Sequence, residues 1–229
     1  MIPIDHAIDG ATMTQAANGL RRFLLVRDDF YSDPEEVRRI AQSMKYELAE
    51  GITGYMTSEV YHPRGVRHRL ERVLGVKITR WDDDPDQGNG IFYQAFARGA
   101  QKETPGVHSD EPYEDITVLI YLTPGLPADC GTSLWQHRAT GLLNAPTQRD
   151  ARRLKTTLTA LRERLERDSE KREKWIEIDR AGYRFNRMVA YASGMLHSAS
   201  RHYGSNLGDG RIYQTFRIGV NWSSCRLYA

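Results

Sequence analysis

A chain of 229 residues that is 40% hydrophobic and 27% charged has the balance of an ordinary folded domain, not of a disordered one. Its 32 basic and 30 acidic side chains leave a net charge of +2, which gives no footprint for nucleic acid or an anionic membrane as the main partner. The two cysteines, Cys130 and Cys225, are too few and too far apart for a disulfide framework and are expected to be reduced.

Residues 1–6 lack the basic region and apolar run of a secretory signal, and no apolar run approaches the roughly 20 residues that span a bilayer. The expectation is a soluble, cytoplasmic protein with one domain over residues 1–229. Residues 1–20 carry little pattern. Phe23-Leu24-Leu25-Val26 reads as a buried strand. Ser32, three residues before Glu35 and followed by Pro34, reads as a helix start, and Val37, Ile40, Ala41 and Met44 continue it at helical spacing. Residues 51–63 read as a loop. A second helix carries Val66, Leu70, Val73 and Leu74 on one face and stops at Gly75. From residue 76 the texture changes. Short alternating, β-branched or aromatic runs at 76–81, 91–96, 116–122, 132–135, 188–191 and 212–220 sit between Gly, Pro, Asp and Asn, the pattern of a sandwich or barrel. One charged helical segment interrupts them at 148–175, with Leu154, Leu158, Leu161 and Leu165 as its narrow apolar stripe. It reads as a solvated helix laid across the outside of a sheet, with a lid or a homodimer contact as alternatives.

Three short stretches can carry chemistry. His108 and Asp110 are two apart, so on a strand both side chains point the same way. His197 follows a strand and a turn at Gly194 and lies among small residues. Arg211, Tyr213, Thr215 and Arg217 share parity on a third stretch, and a planar guanidinium grips a carboxylate through two parallel hydrogen bonds. Taken singly, each has a bland reading: a surface hydrogen bond, a core histidine, surface arginines. Together, two imidazoles and one carboxylate on one side of a metal leave three positions open, an arrangement that suits Fe(II).

This order, His-x-Asp, a long gap, a His after a short strand and then an Arg, resembles the iron- and 2-oxoglutarate-dependent dioxygenases. The pair Arg211 and Arg217, six apart, is similar to the arginine strand of the AlkB-like members. Residues 30–34, 117–122, 131–135, 186–189 and 211–216 resemble a group of small bacterial oxygenases of this superfamily, and the likeness covers roughly residues 23–220. The resemblance implies an α+β, mainly β fold: a double-stranded β-helix (jelly roll, cupin-like) over 91–220, helical and strand support packed outside it over 22–90, and the helical insertion at 148–175. It implies that His108, Asp110 and His197 bind Fe(II) and form the catalytic centre. Arg211 then holds the distal carboxylate of the co-substrate 2-oxoglutarate, and Arg217 lies near its metal-side carboxylate. Tyr93 or Gln94, on an early core strand, also touches it. Halogenating relatives put a small residue where Asp110 stands, so Asp110 points to hydroxylation or a related oxidation such as desaturation or cyclisation.

The expected reaction is hydroxylation of an unactivated C–H bond with dioxygen consumed and succinate and carbon dioxide released, ascorbate serving as a reductant. A small molecule, an amino acid, a peptide-borne residue and a natural-product intermediate are the substrate classes. The alternatives are a cupin-like metal-dependent hydrolase or isomerase and a non-catalytic barrel that binds a partner. His62, His68, His137 and His202 read as structural or exposed. Trp135, Tyr113 and Tyr55 read as core aromatics before pocket walls, and Glu111 and Asp115 as loop charges.

Overall fold

Local sequence signals set the first elements of the computed structural model, which describes residues 12–15, 21–48, 54–84, 88–110 and 115–224. Strands β1 (Thr12–Gln15) and β2 (Arg21–Arg27) pair antiparallel. Helix α1 (Pro34–Ser43) is capped by Asp33, one residue later than expected. The Asp33 carboxylate accepts the Glu36 N–H at 3.0 Å. Proline suits the first helical position because it needs no N–H there, so the cap falls on the residue just before Pro34. The expected loop at 51–63 instead contains strand β4 (Tyr55–Thr57), paired with β3 (Tyr46–Leu48); residues 51–53 lie outside the described ones. Helix α2 (Val66–Leu74) ends where read, at Gly75, whose φ of 62° is the left-handed conformation glycine adopts without strain.

The remaining strands are β5 (Lys77–Arg80), β6 (Ile91–Gln94), β7 (Ile116–Tyr121), β8 (Thr132–His137), β9 (Trp175–Ala181), β10 (Met188–Ala192), β11 (His197–Ala199) and β12 (Tyr213–Asn221). They form two antiparallel sheets. The larger runs β1-β2-β10-β7-β12-β6-β4-β3, with β5 also paired to β12, and the smaller runs β11-β8-β9. The fold is thus mainly antiparallel β with few helices.

Register decides which face each side chain takes. Tyr213, Thr215 and Arg217 of β12 lie opposite Tyr121, Leu119 and Thr117 of β7, and Thr117 in turn lies opposite Tyr191 of β10. These residues share one face. Val118, Ile120, Ala190, Phe216 and Ile218 alternate onto the other, joining Phe23 and Leu25 in one buried core with Val37 and Ala41 of α1 and Leu70 and Leu74 of α2. Each such aliphatic or aromatic side chain contributes about 1.5–3 kcal/mol when fully buried. The tyrosine- and arginine-bearing face turns to the small sheet, where the Tyr121 hydroxyl meets Thr132 Oγ1 of β8 at 2.7 Å.

The 148–175 segment is helical in two pieces, α3 (Gln148–Arg153) and α4 (Leu158–Asp168), before β9 begins. Lys155 takes a φ of 51° and Thr157 caps α4 by accepting the Ala160 N–H, so the chain breaks between them. Thr hydroxyls compete for backbone donors, which favours caps over helix interiors. Leu161 is buried on α4, and Leu165 packs with Trp135, Trp175, Val107 and Leu196. Trp135 alternates with Leu134, the partner of His197, so α4 covers the outer face of the small sheet. No helix among the described residues is long and apolar enough to cross a membrane.

Candidate metal centre

His108 and Asp110 precede β7 and are pinned by backbone. His108 exchanges both of its main-chain hydrogen bonds with His197, at 2.9 and 2.8 Å, as an isolated antiparallel bridge to β11. The Asp110 N–H donates to the Ser193 carbonyl at 3.0 Å, in the turn between β10 and β11. Residues 89 positions apart in the chain therefore meet because the turn at 193–196 carries β11 back beside residue 108. One ligand-type atom from each of His108, Asp110 and His197 falls within 4.8 Å of the other two. The imidazole rings sit 4.4 Å apart between centroids.

Each ring is oriented by the same device. His108 Nδ1 lies 3.0 Å from the Gly106 carbonyl oxygen and His197 Nδ1 lies 2.9 Å from that of Met195. A carbonyl only accepts, so Nδ1 carries a proton and donates it, which turns Nε2 of each ring away from the carbonyl. His197 Nε2 is 3.7 Å from Asp110 Oδ2. Burial, reinforced by His108 and opposed by the Asp110 carboxylate, pushes the His197 imidazole down to about 4, so it is neutral near pH 7. For Asp110, burial works to raise the pKa. The pull of His197, Arg217 and His108, with the Thr117 hydroxyl, outweighs it and holds the carboxyl below its usual range. Two imidazoles and one carboxylate, converging with their rings oriented by backbone carbonyls, are the donor set that a divalent metal of intermediate hardness takes.

Around Asp110 the polar contacts are dense. Thr117 Oγ1 donates to Oδ2 at 2.5 Å and Arg217 Nη2 donates to Oδ1 at 3.1 Å. Tyr191 packs its ring 4.5 Å from that of His197. Tyr93 lies opposite Tyr213 in register, and the two rings stack at 5.6 Å. Burial raises the phenols of Tyr93, Tyr191 and Tyr213, so they stay protonated and can donate. Gln94 alternates with Tyr93 onto the opposite face of β6 and is not brought to the cluster.

Arg211 precedes β12 and is 3% exposed. Its Nη1 donates to the Cys130 and Gly131 carbonyls, and its Cζ lies 5.3 Å from the Tyr121 ring centre and 4.8 Å from that of Tyr213. Between the two arginines, the buried Thr215 hydroxyl has no hydrogen-bond partner among the described residues. The same is true of Nε2 of the buried His202, whose pKa burial and then the charge of Arg211 push down to about 3.

Other residues fall away from the centre. His137 is buried between Thr140 and Asp168, and His62 lies against Asn89 and Asp83. Asp115 accepts from Val220 N–H and Trp222 Nε1, a structural role. Cys130 is a buried free thiol. Cys225, Glu111 and Tyr113 lie outside the described residues. Thr117, Ser193, Tyr121 and Tyr191 belong to the neighbourhood without having been singled out from sequence. Only parity marks the two tyrosines, and the Thr117–Ser193 contact joins residues 76 apart.

Two of the similar solved structures are of one protein. One is HygX from Streptomyces hygroscopicus with nickel and 2-oxoglutarate bound, at 13% identity and a TM-score of 0.46, covering 87% of this chain and 83% of that one. The other is HygX with nickel, 2-oxoglutarate and hygromycin B bound, at 11% identity, the same TM-score and the same coverage. No curated protein matches the chain. The model of a family of unknown function, DUF6445, matches residues 11–211. With most of its length matched, the chain belongs to the DUF6445 family.

Proposed function

We propose that the protein is a non-haem Fe(II)- and 2-oxoglutarate-dependent oxygenase that hydroxylates a C–H bond of a small molecule, an amino acid or a peptide-borne residue. The convergence of one ring nitrogen from each of His108 and His197 and an Asp110 carboxylate oxygen within 4.8 Å carries this reading. Strand order supports the matching architecture. A double-stranded β-helix interleaves its strands between two sheets, and here β6, β7, β10 and β12 are neighbours in one sheet while His108, β8, β9 and β11 are neighbours in the other.

The residues fit both groups. His108, Asp110 and His197 would hold the metal on one side and leave the other open. Arg211, with the orphan Thr215 hydroxyl beyond Tyr213 on the same face, would hold the distal carboxylate of a dicarboxylic keto acid. Among the described residues the buried hydroxyl has no partner, a loss of about 1–3 kcal/mol that a ligand carboxylate would recover. When bound, the iron and keto acid supply oxidation by dioxygen, placing one oxygen atom in the substrate as hydroxyl and the other in succinate as carbon dioxide leaves; ascorbate would keep the iron reduced. Tyr93, Tyr191 and Tyr213 wall the space and exclude water. Arg217 balances the charge of Asp110 instead of standing free for substrate.

The test is anaerobic titration of the purified protein with Fe(II) and then 2-oxoglutarate, followed by succinate release in air. Stoichiometric metal binding, a visible band appearing only with both additions, and loss of succinate in His108→Ala are expected. A metal-dependent hydrolase would bind metal without the band, and a non-catalytic barrel would bind neither; either result overturns the proposal, as does full turnover by His108→Ala.

A further inference from the structure

Asp110 is an acceptor on both oxygens when ionised, and its two oxygens face different partners. Oδ1 is held by Arg217 Nη2 at 3.1 Å. Oδ2 lies on the side of His197 Nε2, 3.7 Å away, and receives the Thr117 hydroxyl at 2.5 Å. Thr117 Oγ1 is also 3.0 Å from Ser193 Oγ. The Thr117 proton points to the carboxylate, so in that second contact Ser193 must be the donor. The hydroxyls therefore form a one-way chain from Ser193 to Thr117 to Asp110 Oδ2, with all three residues at most 5% exposed. Chains of this kind strengthen one another where water is excluded.

We infer that Thr117 and Ser193 are positioning residues of the metal site. They fix the Asp110 carboxylate so that Oδ2 alone takes the metal, with one of its lone pairs on Thr117 and the other directed at the ion. Three anchors leave the carboxylate no freedom to turn: Arg217 on Oδ1, Thr117 on Oδ2, and the Asp110 N–H on the Ser193 carbonyl. Ser193 holds both ends of this clamp, because its backbone carbonyl receives the Asp110 N–H and its hydroxyl donates to Thr117. The parity of β7 places Thr117 directly across from both Arg217 of β12 and Tyr191 of β10, so the clamp is built on the middle of the large sheet and not on a loop. Outer partners of metal ligands of this type change metal affinity by roughly 10- to 100-fold when removed.

This inference rests on the proposed metal site, and the two fail differently. The probe is Co(II) alone, titrated into the full chain without 2-oxoglutarate and followed by calorimetry and by the visible d–d spectrum. Thr117→Val keeps the shape and removes the hydroxyl; it is expected to weaken Co(II) binding about 10- to 100-fold and to change band positions as the carboxylate turns. Thr117→Ser, which restores the hydroxyl, is expected to recover wild-type affinity and spectrum. Ser193→Ala is expected to give a smaller loss in the same direction. Metal-free unfolding of each variant is the control, and if Thr117→Val does not unfold cooperatively the comparison rests on Ser193→Ala and Thr117→Ser. Wild-type Co(II) affinity and spectrum in Thr117→Val, or in Ser193→Ala where that variant carries the comparison, overturn the inference and leave the metal site standing. Absence of Co(II) binding by the unmodified protein overturns the site itself and the inference with it.

Discussion

Arg217 reaches Asp110 with Nη2, whereas Arg211, six residues earlier on the same face, is buried against two tyrosine rings with one of its nitrogens on the Cys130 and Gly131 carbonyls. Those carbonyls fix the direction of a planar fork, which a lysine lacks. Arg211→Lys is therefore expected to raise the 2-oxoglutarate dissociation constant at least about tenfold, the effect of losing one charged hydrogen bond of ~1.5–3 kcal/mol, while Co(II) affinity stays at the wild-type value. Calorimetry with each ligand separates the two. His202 supplies a pH test nearby. Burial and Arg211 hold its folded pKa at about 3, against about 6.5 for an unfolded histidine. Between those values the unfolded chain binds the extra proton, so this contribution is complete above about pH 6.5 and is lost as pH falls toward 3, by up to ~1.4 kcal/mol per pH unit. Denaturant midpoints at pH 7, 5.5 and 4 should fall more steeply in the unmodified protein than in His202→Gln; parallel declines would assign the acid sensitivity to other groups.

Among the elements, Gly131, just before β8, links packing to Arg211, whose guanidinium its carbonyl receives. A Cβ there would overlap the Ala181 carbonyl oxygen and crowd the Tyr183 nitrogen, both backbone atoms that cannot swing away. Gly131→Ala should push β9 from β8 and shift the carbonyl that anchors Arg211, so thermal stability and 2-oxoglutarate affinity fall together. Leu70→Ala on α2 should cost about 2–5 kcal/mol in denaturant unfolding, because Leu70 is wholly buried and a cavity remains, and yet leave 2-oxoglutarate affinity intact in the folded fraction. These elements differ in how well the chain announces them. Helix α2 is legible because four apolar residues at helical spacing end at a glycine that accepts a left-handed φ. The strands β6, β7, β10 and β12 are legible from β-branched and aromatic runs. Strands β3, β4 and β11, of three residues each, are too short for alternation to register, and β9 hides behind five exposed residues in a row. The break between α3 and α4 follows from Thr156 and Thr157, which an apolar stripe of leucines masks.

At the scale of the whole molecule, the His108–Asp110–His197 cluster exists because residue 108 pairs beside residue 197 on the edge of the small sheet. That His108 and Asp110 could turn to one side was legible, since i and i+2 on an extended segment share a side. Sequence alone does not tell which face of a strand looks inward, so it offered Tyr93 and Gln94 alike where the register puts only Tyr93 beside Tyr213, and Thr117 went unread because its partners are distant in the chain. The same topology makes ligand binding a property of the folded chain alone. Unfolding separates His108 and Asp110 from His197 and dissolves the cluster, so metal and keto acid are expected to bind the native state alone and to stabilise it by mass action. At 100 times the dissociation constant that is about 2.7 kcal/mol. A chain of this size gains roughly 2–4 °C in Tm per kcal/mol, so Co(II) at that excess should raise Tm by about 5–10 °C, 2-oxoglutarate at the same excess should add a comparable rise, and a chelator should reverse the shift. His197→Ala keeps the fold's other contacts but removes one ligand, and its Tm should respond to neither addition. An equal rise in that variant would place the metal somewhere other than between the two sheets.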